Sequence, residues 1–143
     1  MMLLLAPARA HFLTGIRRGV PVAFVALTLL GCSGSQQPPL GRVRGTVMLD
    51  GAALVNATVL FTPAGAGRTS QGTTDASGRY ELSYLRDIRG ANVDRHTVRI
   101  TTASEENGGR ELLPPRYHSH SELEARVAAG RNVCNFELRS DDR

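Results

Sequence analysis

The feature that most constrains the fold is a two-residue alternation of apolar and polar side chains. It runs in short segments from residue 42 onwards; in "RVRGTVMLDG", Val43, Val47 and Leu49 fall on one side. Successive side chains of a β-strand point to opposite faces of a sheet. The period of two therefore predicts strands with one face in a core and the other in water.

Six further segments follow, and turn-forming residues such as Asp50-Gly51, Pro63 and Gly130 separate them. Seven short strands at regular spacing predict an all-β fold, a small antiparallel sandwich of two sheets. The side chains expected to point inward in these six segments are Ala57, Val59, Phe61, Tyr80, Leu82, Tyr84, Val98, Ile100, Leu123, Ala125, Val127, Cys134, Phe136 and Leu138.

The sequence of residues 1–31 has the pattern of a signal peptide. Three arginines precede an apolar stretch, "VPVAFVALTLL", that ends at Leu30. This stretch has 11 residues, whereas a membrane-spanning helix needs about 20. A positive segment followed by a short apolar one and small residues is typical of secreted proteins.

The sequence Leu-Leu-Gly-Cys at 29–32 resembles the lipobox of bacterial lipoproteins. In that class the cysteine is lipidated and becomes the first residue of the mature chain. The resemblance implies that Cys32 carries acyl chains that hold the protein on a membrane. The alternative is ordinary signal-peptide cleavage, which would leave Cys32 free or disulfide-bonded.

Residues 32–41 predict a lipidated, flexible tether, because "SGSQQPPLG" is small, polar and proline-rich. In lipoproteins that are sorted between two membranes, an aspartate after the lipidated cysteine is associated with inner-membrane retention. Ser33 stands at that position here, so the resemblance favours the outer membrane of the cell envelope.

The positive charge of the chain does not predict a nucleic-acid partner. Its formal charge is +4, from 17 basic residues, all of them arginine, and 13 acidic ones. Three of the arginines (Arg9, Arg17 and Arg18) lie in the predicted signal peptide. The remaining chain is therefore close to neutral, and no nucleic acid is expected as a partner.

Five stretches of the folded region, taken in order, resemble one domain family. They are "VRGTVMLDGAALVNATVLFTP", "TTDASGRYEL", "HTVRITT", "PPRYHSHSELEARV" and "RNVCNFELRS". Together they are similar to the carboxypeptidase regulatory-like, or transthyretin-like, domain, over residues 42–140. The resemblance implies a seven-stranded Greek-key sandwich with prealbumin-like topology. It also implies a non-catalytic module without a cofactor. The partners we expect are the membrane, through the lipid anchor, and an unidentified envelope protein or glycan.

The most metal-like feature is the pair His118 and His120, with Tyr117 beside it. On an extended strand, residues two apart point the same way, so both imidazoles would face one ion. The alternative hypothesis for function is therefore a metal-binding protein or metal-dependent enzyme centred on this pair. Against it, the pair lies in a polar, proline-flanked loop without a nearby Asp, Glu or Cys at ligand spacing.

The strand pattern and the turn residues predict three further features. Arg42, Arg44 and Arg99 point outward and are candidates for binding an acidic polysaccharide or a phosphate-bearing lipid. Cys134 points inward and is expected to act as a small buried apolar group. Asp75, in "TTDASGRYEL", is predicted to close a turn through its side chain rather than to bind calcium.

Overall fold

The computed structural model describes residues 37–141, so the predictions for the signal peptide and for Cys32 lie outside the described residues. Within them the chain forms strands and one short 3₁₀ helix, Pro115–Tyr117, and no α-helix. The strands are β1 (Leu40–Leu49), β2 (Ala52–Ala53), β3 (Thr58–Pro63), β4 (Ser70–Thr73), β5 (Arg79–Glu81), β6 (Ser83–Leu85), β7 (Ile88–Arg89), β8 (Ala91–Asn92), β9 (Arg95–Thr101), β10 (Leu123–Arg126), β11 (Gly130–Val133) and β12 (Phe136–Leu138).

The strands form two sheets, and β1 is the centre of the first. Arg44 pairs with Glu81 of β5 on one side and with Val133 of β11 on the other. The short strands β2 and β8 pair with β1 on the β5 side, and β12 continues β11 on the other. The second sheet has the order β10-β9-β3-β4-β6-β7. The predicted all-β sandwich is confirmed.

Each of the seven predicted strands is present, and two of them are divided. The fourth becomes β5 in the first sheet and β6 in the second, so the chain crosses between sheets within it. The seventh becomes β11 and β12, which keep one register against β1 across Cys134 and Asn135. These two strands run parallel to β1, unlike the antiparallel sandwich predicted, because residues 127–129 carry the chain from one sheet to the other at one end.

Burial in the core confirms most of the inward positions that the alternation predicted. Val43, Val47, Val59 and Phe61 are fully buried, as are Ala57, Leu82, Val98 and Ile100. Burial of such apolar side chains supplies most of the stability of a domain like this one. One inward assignment is wrong: Tyr84 is only half-buried, because β6 lies next to the edge of its sheet. There the guanidinium of Arg68 lies 5.9 Å from the centre of its ring.

The sandwich has two ends, which we call proximal and distal. At the proximal end Leu40 begins β1, and the loops at 64–69, 86–87, 93–94 and 127–129 lie beside it. Hydrogen bonds hold these segments together: Val93 N donates to Pro39 O at 2.9 Å and Val127 N to Asp94 O at 2.9 Å. The distal end carries the turns after β1 and β4, residues 102–122 and the C-terminal residues up to 141.

The turn between β4 and β5 bears out the prediction for Asp75. Its carboxylate accepts hydrogen bonds from Ser77 N at 2.8 Å and from Arg79 N at 3.0 Å. Gly78 has a φ of 72°, and a Cβ there would lie 2.5 Å from Val47 O. The Asp-x-x-Gly sequence therefore closes a tight turn against β1.

Candidate functional site

A depression of the described surface lies on the outer face of the first sheet. It encloses about 780 Å³ and is lined by the side chains of four arginines, Arg42, Arg44, Arg79 and Arg131. All four are exposed. Asn132 and Asn135 contribute to its wall, and so do two acidic residues, Asp75 and Glu81.

Strand register brings these arginines onto one face. Arg42 lies directly opposite Arg131 of β11, and Arg79 of β5 lies opposite Thr46. Residues directly opposite on neighbouring strands share a face, and neighbouring strands are about 4.8 Å apart. Four guanidinium groups from three adjacent strands therefore lie over one surface, which can bind an anion.

Ion pairs occupy only part of this arginine cluster. Arg42 Nη2 lies 3.3 Å from Glu81 Oε1, and Arg89 Nη1 lies 2.5 Å from Glu81 Oε2. Within residues 37–141, Arg44, Arg79 and Arg131 form no ion pair. Because these three arginines form no ion pair, their charges are available to an external anion. The ion pairs of Glu81 are exposed, and such pairs contribute only about 0–1 kcal/mol each to stability.

The grouping of Arg99 with Arg42 and Arg44 is wrong. Arg99 lies on β9, in the other sheet, and its Nε donates a hydrogen bond to His118 O at 2.7 Å. Alternation identifies an outward residue but does not say which sheet carries its strand. Arg79 and Arg131, which sequence reasoning missed, had the same outward parity; only the strand pairing shows that they belong to the cluster.

His118 and His120 lie in a turn after the 3₁₀ helix, not on a strand. The expectation that both imidazoles face one ion required the two histidines to lie on an extended strand. Because they lie in a turn, the structure gives no geometric support for it. His118 Nε2 lies 3.0 Å from Leu113 O, and His120 Nδ1 lies 3.2 Å from Ser119 Oγ. Within residues 37–141, no three His, Cys, Asp or Glu side chains are grouped to hold a metal ion.

Cys134 is half-buried and packs against the core, and its thiol is free within residues 37–141. Burial raises the pKa of this thiol, so the sulfur keeps its proton near neutral pH and is a poor nucleophile.

His96 is a titratable group that the sequence did not single out. It is 1% exposed, its ring lies 5.6 Å from that of Phe61, and its Nδ1 lies 3.1 Å from Asp94 O. Its Nε2 has no hydrogen-bond partner. Burial lowers the pKa of His96, and this outweighs the opposing effect of Asp94.

Glu111 is a second such group, and it fastens the long loop after β9. Its carboxylate accepts hydrogen bonds from Thr101 Oγ1 at 2.5 Å, from Thr102 Oγ1 at 2.6 Å and from Thr102 N at 3.0 Å. Leu112 N and Leu113 N donate as well. Partial burial alone would raise the pKa of Glu111, but these hydrogen bonds lower it to about 2.

Comparison with protein-family models finds no match for this chain, and comparison with curated proteins finds none either. Across residues 37–141 there is no helix of the length and apolarity required to cross a membrane.

Proposed function

We propose that the protein is a non-catalytic, lipid-anchored module of the cell envelope, whose β-sandwich binds an envelope protein or glycan at the membrane surface. The observation that carries the proposal is the sequence Leu-Leu-Gly-Cys at 29–32, followed by a short polar segment that leads directly into β1 at Leu40. Membership of the transthyretin-like family and location at the outer membrane, from Ser33, belong to the same proposal.

The anchor follows from the chemistry of acylation. Each buried CH₂ of an acyl chain contributes about 0.8 kcal/mol, and two or more chains give stable attachment. A lipidated Cys32 would therefore keep the whole chain on the bilayer, and the sandwich would work at its surface.

A binding role is supported by how the polar side chains of the sandwich are used. The carboxylates of Asp75, Asp94 and Glu111 accept backbone N–H groups and hold loops in place. The exposed guanidinium groups of Arg44 and Arg79 carry positive charge without offering a nucleophile or a base at neutral pH. A surface of this kind attracts anionic groups and performs no evident chemistry on them.

Mass spectrometry of the membrane-extracted N-terminal peptide tests the anchor. We expect a mature chain that begins at acylated Cys32. The Cys32→Ala variant should leave the membrane fraction, and Cys134→Ala, the matched control, should stay there. An unmodified mature chain, or one that begins elsewhere, would refute the proposal.

Pull-down of the anchored protein from its own envelope tests the binding role. We expect a retained anionic partner that the double variant Arg44→Gln/Arg79→Gln loses. Arg99→Gln, on the other sheet, is the matched control and should retain it. Equal retention by all three proteins would contradict binding at this surface.

A further inference from the structure

Charge is distributed unequally between the two ends of the sandwich. At the proximal end, six arginines and two aspartates, Asp87 and Asp94, lie in the loops or in the strand residues near them. The distal turns and loops, at 50–51, 75–78, 102–122 and 139–141, carry seven carboxylates and three arginines, and a fourth arginine, Arg79, begins β5 beside them. The proximal arginines are Arg42, Arg68, Arg86, Arg95, Arg126 and Arg131. The sandwich is therefore a basic end joined to an acidic end.

Four of the proximal arginines face each other in two cross-strand pairs. Arg42 lies directly opposite Arg131, on the first sheet, and Arg95 lies directly opposite Arg126, on the second. All four are exposed. Like charges directly opposite on neighbouring strands destabilise a sheet. Glu81 offsets part of the charge of Arg42, and Asp94 part of that of Arg95. An external anion that lies against the two pairs, one on each sheet, would relieve the repulsion that remains.

Apolar side chains stand among these charges. Leu85, which ends β6 at the proximal end, is 38% exposed, and Val93, in a proximal loop, is 37% exposed. Tyr84, half-buried beneath Arg68, lies at the same end. Arginine, tyrosine and exposed aliphatic side chains together suit the boundary of a bilayer, where headgroups meet acyl chains. A hydrated polysaccharide would gain nothing from the aliphatic groups.

The chain that follows the proposed anchor enters the sandwich at the proximal end. Leu40 begins β1 at the proximal end and is eight residues after Cys32 in the sequence. A flexible segment of that length spans about 16 Å on average. Anionic lipids attract basic residues within roughly one Debye length, about 8 Å at physiological salt. A lipidated Cys32 would therefore keep the proximal arginines within about two Debye lengths of the bilayer surface on average, and thermal motion of the tether would bring them within one.

We propose that the proximal end of the sandwich docks onto a bilayer of anionic phospholipid, with the acidic distal end facing away from it. The headgroup phosphates lie against the pairs Arg42–Arg131 and Arg95–Arg126 and relieve their repulsion. Leu85 and Val93 enter the headgroup region. This inference rests on the proposed lipid anchor, and it fixes the orientation in which the domain is presented.

Arginine footprinting on the full lipidated chain tests the inference. The chain is reconstituted into vesicles of phosphatidylcholine, with or without phosphatidylglycerol, and treated with phenylglyoxal. With phosphatidylglycerol we expect modification of the four paired arginines to slow roughly fivefold, because each basic group near an anionic surface gains about that factor. Arg110 and Arg139, at the distal end, should be unaffected. Salt at about 0.5 M should restore reactivity.

Two variants sharpen the test. Arg126→Gln/Arg131→Gln removes one member of each pair, so it relieves repulsion and should not weaken folding. In this variant we expect the protection of Arg42 and Arg95 to be lost. Arg110→Gln/Arg139→Gln is the matched control and should keep that protection. Equal protection on neutral vesicles, or protection that survives Arg126→Gln/Arg131→Gln, would overturn the inference, as would equal protection by a soluble acidic polysaccharide.

Failure of the anchor and failure of docking can be told apart. If mass spectrometry finds no acyl chain on Cys32, the proposed function fails. The same footprint is then measured on the full Cys32→Ser chain, held to nickel-chelating vesicles by an N-terminal histidine tag. If phosphatidylglycerol slows modification of the four paired arginines in this format, docking is supported. If it does not, the docking inference is overturned.

Discussion

The hydroxyl of Tyr80 donates a hydrogen bond of 2.7 Å to the carbonyl oxygen of Cys134, across the central strand β1. Gly45 makes this possible, because a Cβ there would lie 1.7 Å from Cys134 O and 3.1 Å from the Tyr80 ring. Burial raises the pKa of Tyr80 well above its ordinary value, so the hydroxyl remains a donor. One side chain thus links the two strands that flank β1.

Replacing Tyr80 by Phe should destabilise the domain. The part-buried carbonyl of Cys134 would lose its hydrogen bond from Tyr80, and leaving a buried group unsatisfied costs about 1–3 kcal/mol. Urea unfolding followed by circular dichroism measures the loss. Tyr84→Phe, at the half-buried edge position, is the control and should change the free energy of unfolding much less. Equal losses in the two variants would contradict the assigned role.

The contribution of Glu111 to stability should depend on pH. Its folded-state pKa, about 2, lies below the ordinary 4.5. The unfolded chain therefore binds the proton first as the pH falls. The stabilisation is complete above about pH 4.5 and is lost as the pH falls towards 2.

Urea midpoints of the native chain and of Glu111→Gln measure this dependence. We expect the difference between the two to be largest near pH 6 and to shrink towards pH 2, since the amide cannot replace the charged acceptor. Glu124→Gln, on the exposed face of β10, is the control. If the difference in urea midpoint between the two proteins stayed constant from pH 6 to pH 2, the charged carboxylate of Glu111 would not be what stabilises this loop.

His96 should give a second, separate pH dependence. Its pKa is lowered by burial, so the unfolded chain binds a proton at a higher pH than the folded one. Stability is therefore complete above pH 6.5, the ordinary value, and falls as the pH drops below it, levelling off under the folded-state pKa.

The variant His96→Asn checks this assignment. Its amide can replace the ring Nδ1 as donor to Asp94 O but does not titrate, so the change in thermal midpoint between pH 7 and pH 5 should be smaller. His120→Asn, at an exposed position, should keep the native dependence. The assignment fails if His96→Asn and the native chain show the same pH profile.

Metal analysis of the purified full chain addresses the alternative function. We expect less than stoichiometric iron or zinc, because the His118 ring is turned towards Leu113 O and His120 is exposed. His118→Ala/His120→Ala should leave the metal content unchanged. One tightly bound ion per chain, lost in this variant, would favour the metal-binding hypothesis.

Local sequence signals predicted the local structure well. Asp50 and Gly51 have φ values of 50° and 82°, the positive pair that a tight Asp-Gly hairpin turn requires. Alternation likewise placed Val43, Phe61 and Ile100 in the core. These features depend on neighbours within a few residues, and the sequence records them directly.

Pairing between distant strands could not be predicted in the same way. Arg42 and Arg131 are opposite each other because β11 returns parallel to β1 after a crossover of three residues. Neither the sequence around Arg42 nor the sequence around Arg131 indicates that the two strands pair. The grouping of Arg99 with Arg42 failed for this reason, and Arg79 and Arg131 were missed for it.

The central position of β1 also has a mechanical consequence. The segment that leads from Cys32 joins β1 at Leu40, and β1 is held on both sides, by β5 and by the parallel β11 and β12. A force applied through an N-terminal anchor would pull β1 along its own axis. The hydrogen bonds on both flanks would then be loaded together, in shear, instead of opening one after another. A domain held in this way resists being torn from its support far better than one tethered through an edge strand.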